Sequence, residues 1–151
     1  MKIILDTNTI FSALLKTQSI FGEVIFNSQG IFEFYAPHYL KTEIRRHWDK
    51  IKRISRLTDQ QLKDSYESLL TRVTFINEEI IPQKTWENSE KLTEGIDPDD
   101  TDFIALTKHL KGKLWTGDLK LCNGLKKKGF KNVLTTNELI KLWHKKRKQL
   151  R

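Results

Sequence analysis

The residues of this 151-residue chain with the clearest catalytic potential are acidic. Asp6 directly follows a short apolar run at the start of the chain, and Asp118 follows another such run, residues 114–116. A denser acidic cluster lies between them and consists of Glu94, Asp97, Asp99, Asp100 and Asp102. Carboxylates gathered at one site repel one another and raise one another's pKa unless a cation lies between them. The pattern therefore predicts a site for a hard divalent cation.

The types of the available ligands narrow the choice of cation. Magnesium prefers oxygen ligands, and manganese accepts the same set. Zinc prefers nitrogen and sulfur, but Cys122 is the only cysteine and no histidine has a zinc-like spacing to another histidine or to it. We expect Mg²⁺ or Mn²⁺, which would activate water and neutralise phosphate oxygens while a spare carboxylate orients the nucleophile. One alternative stays open, because an acid at a helix start is commonly only a cap.

The elements that must position these acids alternate between strands and helices. Short β-rich segments are predicted at residues 2–5, 31–35, 73–76, 113–116 and 132–135. Helical spacing fills the intervals, including one helix from residue 38 to about 55 and a basic terminal helix at about 136–150. This order predicts an α/β fold with a central parallel sheet between two layers of helices, built as a single domain over residues 1–151. Ligands of such sheets bind beyond the carboxyl ends of the strands, where Asp6 and Asp118 should meet.

The charge of the chain favours a polyanionic partner. Lys and Arg number 27 against 19 Asp and Glu, a net charge of +8, and nucleic acid leads the candidates. Arg45 and Arg46 are possible RNA-binding residues, because they lie near Glu43 on the predicted helix. Basic runs at 126–128 and 141–151 could bind RNA as well or form solvated faces. No apolar run approaches the roughly 20 residues of a membrane span, and Asp6 interrupts the first run too early for a signal peptide. We therefore expect a cytoplasmic protein with no membrane partner.

Four segments resemble the motifs of one family, the PIN domain. They are residues 3–10 (IILDTNTI), 37–44 (PHYLKTEI), 100–107 (DTDFIALT) and 114–118 (LWTGD). Each resembles one acidic motif of the family, and the four occur in the family's order. The PIN domain is the ribonuclease fold of many bacterial toxin–antitoxin toxins and of RNA-processing enzymes.

The resemblance implies a metal-dependent endoribonuclease that hydrolyses single-stranded RNA. Its catalytic acids would be Asp6, Glu43, Asp100 and Asp118. Asp6 and Asp100 would contact the metal directly, and Asp118 and Glu43 would complete the site through water. Supporting positions would be Asn8, Thr116, Asp97 and Asp99.

The resemblance also suggests partners, while the residues leave two other functions open. As a toxin, the protein would bind RNA and an antitoxin protein, and it could form a homodimer. The first alternative is a non-catalytic RNA-binding domain whose acids are caps. The second is an aspartate-nucleophile phosphatase of the haloacid-dehalogenase type, based on Asp6 after the first strand. That chemistry needs a second Asp two residues later, and Asn8 cannot transfer a proton in that role.

Overall fold

Five short strands form one parallel sheet at the centre of the molecule. The structure is a computed structural model that describes residues 1–15 and 19–150, so Arg151 of the basic terminal run lies outside the described residues. The strands are β1 Lys2–Leu5, β2 Glu33–Pro37, β3 Val73–Ile76, β4 Lys113–Trp115 and β5 Val133–Leu134. Their order in the sheet is β3-β2-β1-β4-β5, and every neighbouring pair is parallel. The α/β class with a central parallel sheet is confirmed.

Nine α-helices in the described ranges connect and cover the strands. They are α1 Thr7–Leu15, α2 Ile20–Asn27, α3 Tyr39–Arg46, α4 Trp48–Ser55, α5 Asp59–Leu70, α6 Gln83–Thr93, α7 Thr101–Leu110, α8 Leu119–Lys127 and α9 Thr136–Gln149. Two short 3₁₀ helices lie at Glu78–Ile80 and Pro98–Asp100.

Alternate residues of the central strands enter two separate cores. Ile3 and Leu5 pack with residues of α1, α2, α4, α5 and α9, whereas Ile4 packs with residues of α7 and α8. Trp115 and Leu114 of β4 divide between the two cores in the same way. Parallel strands covered on both faces need this continuous apolar sequence. The result is the expected three-layer α/β/α arrangement.

Strand β2 begins two residues later than the sequence predicts. Ile31 and Phe32 are apolar and buried, but the N–H groups of both donate to the carbonyl of Ser28 at 3.0 Å. Because a turn takes these amides, the strand can begin only at Glu33. Burial alone therefore does not distinguish a strand from a packed turn.

The predicted helix over residues 38–55 is two helices. His47 ends α3 and begins α4 with φ −101° and ψ 13°, outside the helical region. The apolar spacing of Leu40, Ile44 and Ile51 continues across the break, and all three side chains are buried. The break places Glu43 and the basic residues of α4 on separate helices.

Within the described residues, no helix combines the length and apolar character needed to cross a membrane.

Candidate active site

The parallel register brings the residues after β1 and β4 to the same edge of the sheet. Leu5 pairs with Trp115, so Asp6 and Thr116 leave the sheet side by side at its carboxyl end. Asp118 lies two residues beyond Thr116. This edge is where ligands bind in open α/β sheets.

Asp6 is buried and held in place by two threonines. Its residue is 4% exposed, and its Oδ1 accepts the N–H of Thr9 at 2.8 Å. The Thr9 hydroxyl donates to the carbonyl of Trp115 at 3.3 Å, which ties α1 to β4. Burial raises the pKa of Asp6, hydrogen bonds from Thr116 and Thr9 lower it, and the charge of Asp118 raises it. Its carboxylate is therefore placed by the backbone but receives no compensating charge from its neighbours.

Thr116 connects Asp6 to Asp118. The Thr116 hydroxyl hydrogen-bonds to the Asp6 carboxylate and accepts the N–H of Asp118 at 3.0 Å. Asp118 itself caps α8, because its Oδ1 accepts the N–H of Leu121 at 3.1 Å. One cap bond occupies one oxygen of this exposed carboxylate and leaves its remaining lone pairs for a ligand.

Asp100 faces the other two acids from a third segment. It ends the 3₁₀ helix Pro98–Asp100 and precedes α7, but its side chain makes no cap hydrogen bond. Burial raises the pKa of Asp100 to about 7, and the charges of Asp97, Asp6, Asp118 and Asp99 contribute in that order. Asp100 therefore does not act as a side-chain cap of α7, the alternative role for an acid at a helix start. We call Asp6, Asp100 and Asp118 the inner acids.

Glu43 lies on a separate wall and has basic side chains beside it. Its Oε1 accepts Arg46 Nη1 at 2.9 Å, and its Oε2 lies 3.6 Å from His47 Nε2. A cavity of about 370 Å³ adjoins this pair and is lined by Tyr39, Glu43, Arg46, Pro98, Asp99 and Asp102. Glu43 of α3 therefore lines the same cavity as Asp99 of the 3₁₀ helix Pro98–Asp100 and Asp102 of α7.

Tyr39 was not predicted to belong to the site, and Asp102 was named only as a member of the acidic cluster, yet both line this cavity. Burial raises the pKa of Tyr39 to about 12; a hydrogen bond with Thr7 lowers it, and the charges of Asp102, Glu43 and Asp100 raise it. Tyr39 is thus close enough to Glu43, Asp100 and Asp102 for their charges to act on it. Its N–H donates to Glu78 Oε1 at 2.6 Å, so an acid after β3 supports the start of α3. The sequence signal for Tyr39 was its position two residues after β2, at the same edge of the sheet as Asp6.

Asp102 is also affected by its acidic neighbours. Burial raises its pKa, and the charges of Glu78 and Asp99 raise it further. The predicted supporting residue Asp99 lines the same cavity, whereas Asp97 is exposed and accepts the N–H of Asp99 at 3.0 Å. Asp97 is therefore a cap that also adds charge near Asp100.

The described residues that line the cavity do not include the inner acids, and two further predicted residues, Asn8 and Arg45, lie beside other elements. Asn8 is exposed and lines a smaller groove of about 180 Å³ between α1 and α4, together with Phe11 and His47. Arg45 lies near Tyr66 of α5, and its charge lowers the pKa of that tyrosine. Of the two predicted RNA-binding arginines, only Arg46 lines the cavity.

The donor set is that of a hard cation, although the side chains are not gathered around one point. Across residues 1–15 and 19–150, no three His, Cys, Asp or Glu side chains are arranged to hold a metal ion. The inner acids offer only oxygen ligands, and no Lys or Arg within those ranges forms an ion pair with any of them. Their repulsion is the kind that Mg²⁺ or Mn²⁺ relieves, so the chemistry of the residues fits such a cation.

The sheet has the order β3-β2-β1-β4-β5, and acids lie at its carboxyl edge. The protein is therefore of the α/β class whose ligand sites lie at the strand ends. The family model described as PIN domain matches residues 4–146, and the chain belongs to the PIN domain family. Proteins of this family are typically nucleases and are generally metal-dependent.

One solved structure shares the fold over most of both chains. It is a chain of the crystal structure of VapBC2 from Rickettsia felis bound to a DNA fragment from their promoter. The TM-score is 0.64 at 15% sequence identity, with 89% of this chain and 97% of that chain covered. No curated protein matches the sequence.

Proposed function

We propose that this protein is a metal-dependent endoribonuclease that hydrolyses phosphodiester bonds of single-stranded RNA. Its membership of the PIN domain family supports a nuclease. The observation that carries the proposal is the parallel pairing of β1 with β4, which brings Asp6 and the segment leading to Asp118 to one edge of the sheet, with Asp100 close enough for the charges of both acids to raise its pKa. Acids from three distant segments oppose one another at the carboxyl edge of the sheet, and an oxygen-seeking cation would relieve that repulsion.

The residues divide into ligands and supports. Asp6 and Asp100 would hold Mg²⁺ or Mn²⁺ directly, and Asp118 and Glu43 would complete the site through water. The bound cation would supply an activated water and would neutralise charge on the phosphate. Thr9 and Thr116 fix the Asp6 carboxylate through hydrogen bonds.

Arg46 would bind the RNA backbone at the entrance to the site. Its side chain is 64% exposed and lines the cavity beside Glu43, so its guanidinium can reach a phosphate without leaving the site. The net charge of +8 would attract the strand, and binding should weaken steeply with added salt.

Cleavage of a fluorescent single-stranded RNA with and without Mn²⁺ tests the proposal. The wild-type protein should cut only with metal, whereas Asp6→Asn and Asp100→Asn should not cut although circular dichroism shows them folded. Asp49→Asn is the matched control, because Asp49 is exposed on α4 and distant in sequence from every inner acid. RNA binding that persists in chelator without cleavage under either metal would favour the non-catalytic RNA-binding domain.

We further propose that the protein pairs with an antitoxin protein, as the toxin of a two-protein system. The shared fold with a chain of VapBC2 supports this proposal. Co-expression with the product of the adjacent gene should yield a complex that suppresses RNA cleavage. Light scattering of the purified chain would then distinguish a homodimer from a monomer.

A further inference from the structure

Helix α8 is fastened at its far end to the helix that leads into the acidic loop. Lys128, the residue after α8, donates its ammonium group to the carbonyls of Leu92 at 3.1 Å and Lys91 at 3.5 Å, and to that of Glu94. These carbonyls belong to the last turn of α6 and the residue that follows it. Residues 94–100, which we call the acidic loop, begin at this point and end at Asp100.

The ammonium group is well matched to this position. The last carbonyls of a helix have no partner within the helix and carry the negative end of its dipole, so a cation there is stabilising. The backbone of Lys128 is itself held, because its N–H donates to the carbonyls of Gly124 and Leu125, and Gly129 continues with φ +87°. The lysine stem therefore starts from a fixed point.

A second contact joins the middle of α8 to the acidic loop. A Cβ atom at Gly124 would lie 2.8 Å from Ile96 Cδ1, so the glycine allows the isoleucine to pack directly against the helix. The N–H of Ile96 donates to the carbonyl of Thr93 at 3.0 Å, which continues from the end of α6. The loop is thus packed by its one apolar side chain as well as by Lys128.

The same helix carries an inner acid at its other end. Asp118 is the N-cap of α8, and α8 spans nine residues from Leu119 to Lys127, roughly 13 Å. A rigid helix therefore connects Asp118 to the loop that ends in Asp100, and the two acids repel each other. Without a fastening, the acidic loop could move away and relieve that repulsion.

We propose that Lys128, Gly124 and Ile96 form a loop anchor that holds Asp100 opposite Asp118 and Asp6 and thereby sets the affinity for the divalent cation. The inference rests on the proposed function for the role of the cation. Lys128 is a positioning residue, because it contacts only backbone carbonyls of α6 and the loop. The basic run 126–128 therefore has divided tasks, since Lys126 pairs with Glu138 at 3.0 Å.

The test compares Lys128→Met with Lys127→Met in the full-length, metal-free protein by amide hydrogen exchange. Lys127 is the matched control, because it removes the same charge one residue away. The amides of Ile96, Asp99 and Asp100 should exchange about five- to tenfold faster in Lys128→Met, while amides of α5 remain unchanged. Lys128→Arg should restore slow exchange. Equal exchange in the two methionine variants would overturn the anchor.

A second variant tests the packing contact without removing charge. Alanine favours helix over glycine, so Gly124→Ala should leave α8 folded while its methyl group displaces Ile96. Amide hydrogen exchange at Ile96, Asp99 and Asp100 should again be faster than in the wild-type protein. Unchanged exchange in this variant would show that Ile96 does not hold the loop.

Calorimetric titration with Mn²⁺ alone tests the effect on the site. Affinity should fall about tenfold in Lys128→Met, as for an outer residue that orients a ligand, and recover in Lys128→Arg. Faster loop exchange with unchanged Mn²⁺ affinity would overturn the positioning role. Equal Mn²⁺ binding by wild type and Asp6→Asn would instead contradict the proposed function, while the exchange data would still decide whether the loop is anchored.

Discussion

The inner acids and Glu43 carry the same type of charge but have opposite surroundings. Glu43 has Arg46 at 2.9 Å and His47 at 3.6 Å, both on or beside its own helix. The charges that contribute to the pKa of Asp100, which is raised to about 7, are those of other acids. The chain therefore places a basic side chain beside the acid on the outer wall and, among the described residues, leaves the acids at the strand ends without one. A divalent cation should therefore act mainly on the inner acids.

The two regions also differ in what holds each carboxylate. Asp6 is fixed by the N–H of Thr9 and the hydroxyl of Thr116, and Asp118 by the N–H of Leu121. Glu43 is held only by partly exposed side chains. Backbone-held carboxylates lose little entropy when they bind a ligand, so Asp6 and Asp118 are better prepared ligands than Glu43.

The largest expected effect is on RNA cleavage. Asp6→Asn should lower kcat by at least about a hundredfold, the scale of losing a group that stabilises the transition state. Glu43→Gln should lower it only about tenfold, as for a residue that acts through water or through another ligand. Single-turnover cleavage at saturating Mn²⁺ measures both. Equal reductions of kcat in the two variants would show that the inner acids and Glu43 do not differ in their contribution to cleavage.

The next effect is stabilisation by metal. Free Mn²⁺ at 100 times its Kd should stabilise the fold by about 2.7 kcal/mol. For a chain of this size, that corresponds to a rise in Tm of roughly 5–10 °C. Scanning calorimetry should find the rise in wild type and in Glu43→Gln but not in Asp6→Asn. A rise that depends on Glu43 instead would place the cation on the outer wall.

A smaller effect is the pH dependence of the metal-free protein. The folded-state pKa of Asp100 is raised from 3.8 to about 7, so between these values the folded state binds more protons than the unfolded state. Stability should therefore fall as the pH rises from about 4 to 7 and level off above that. Asp100→Asn should lose part of this dependence and melt at a higher temperature than wild type at pH 8. Parallel Tm curves for the two proteins would contradict the raised pKa.

The smallest effect separates the two arginines. Arg46 lines the cavity, whereas Arg45 lies near Tyr66. Arg46→Ala should weaken binding of single-stranded RNA and reduce the slope of log affinity against log salt by about 0.7, the value for one phosphate contact. Arg45→Ala should leave that slope nearly unchanged. Fluorescence anisotropy in chelator measures both variants without cleavage, and the reverse ranking would show that RNA passes over α5.

The sequence could predict the sheet edge more completely than the walls of the site. Strands β1 and β3 begin and end where their apolar patterns predict, and the acids after β1 and β4 follow from the parallel order. The break at His47 was not predictable from spacing, because Leu40, Ile44 and Ile51 all remain buried across it. That break sets the position of Glu43 relative to Arg46 and His47.

The surroundings of several polar residues depend on tertiary packing and could not be read from the sequence. Asn8 lies near Asp6 in the chain but lines the groove between α1 and α4. Tyr39 and Asp102 line the cavity because α3 and α7 start on either side of it, which depends on tertiary packing. Lys128 belongs to a run of like charges whose separate partners only the fold determines.

Anomalous diffraction at the manganese edge from crystals soaked in Mn²⁺ would locate the cation. We expect one strong peak bounded by the carboxylates of Asp6, Asp100 and Asp118, and no peak in crystals of Asp6→Asn. A peak between Glu43 and Asp102 instead, or no peak near any of these acids at saturating Mn²⁺, would contradict the proposed cation site at the inner acids.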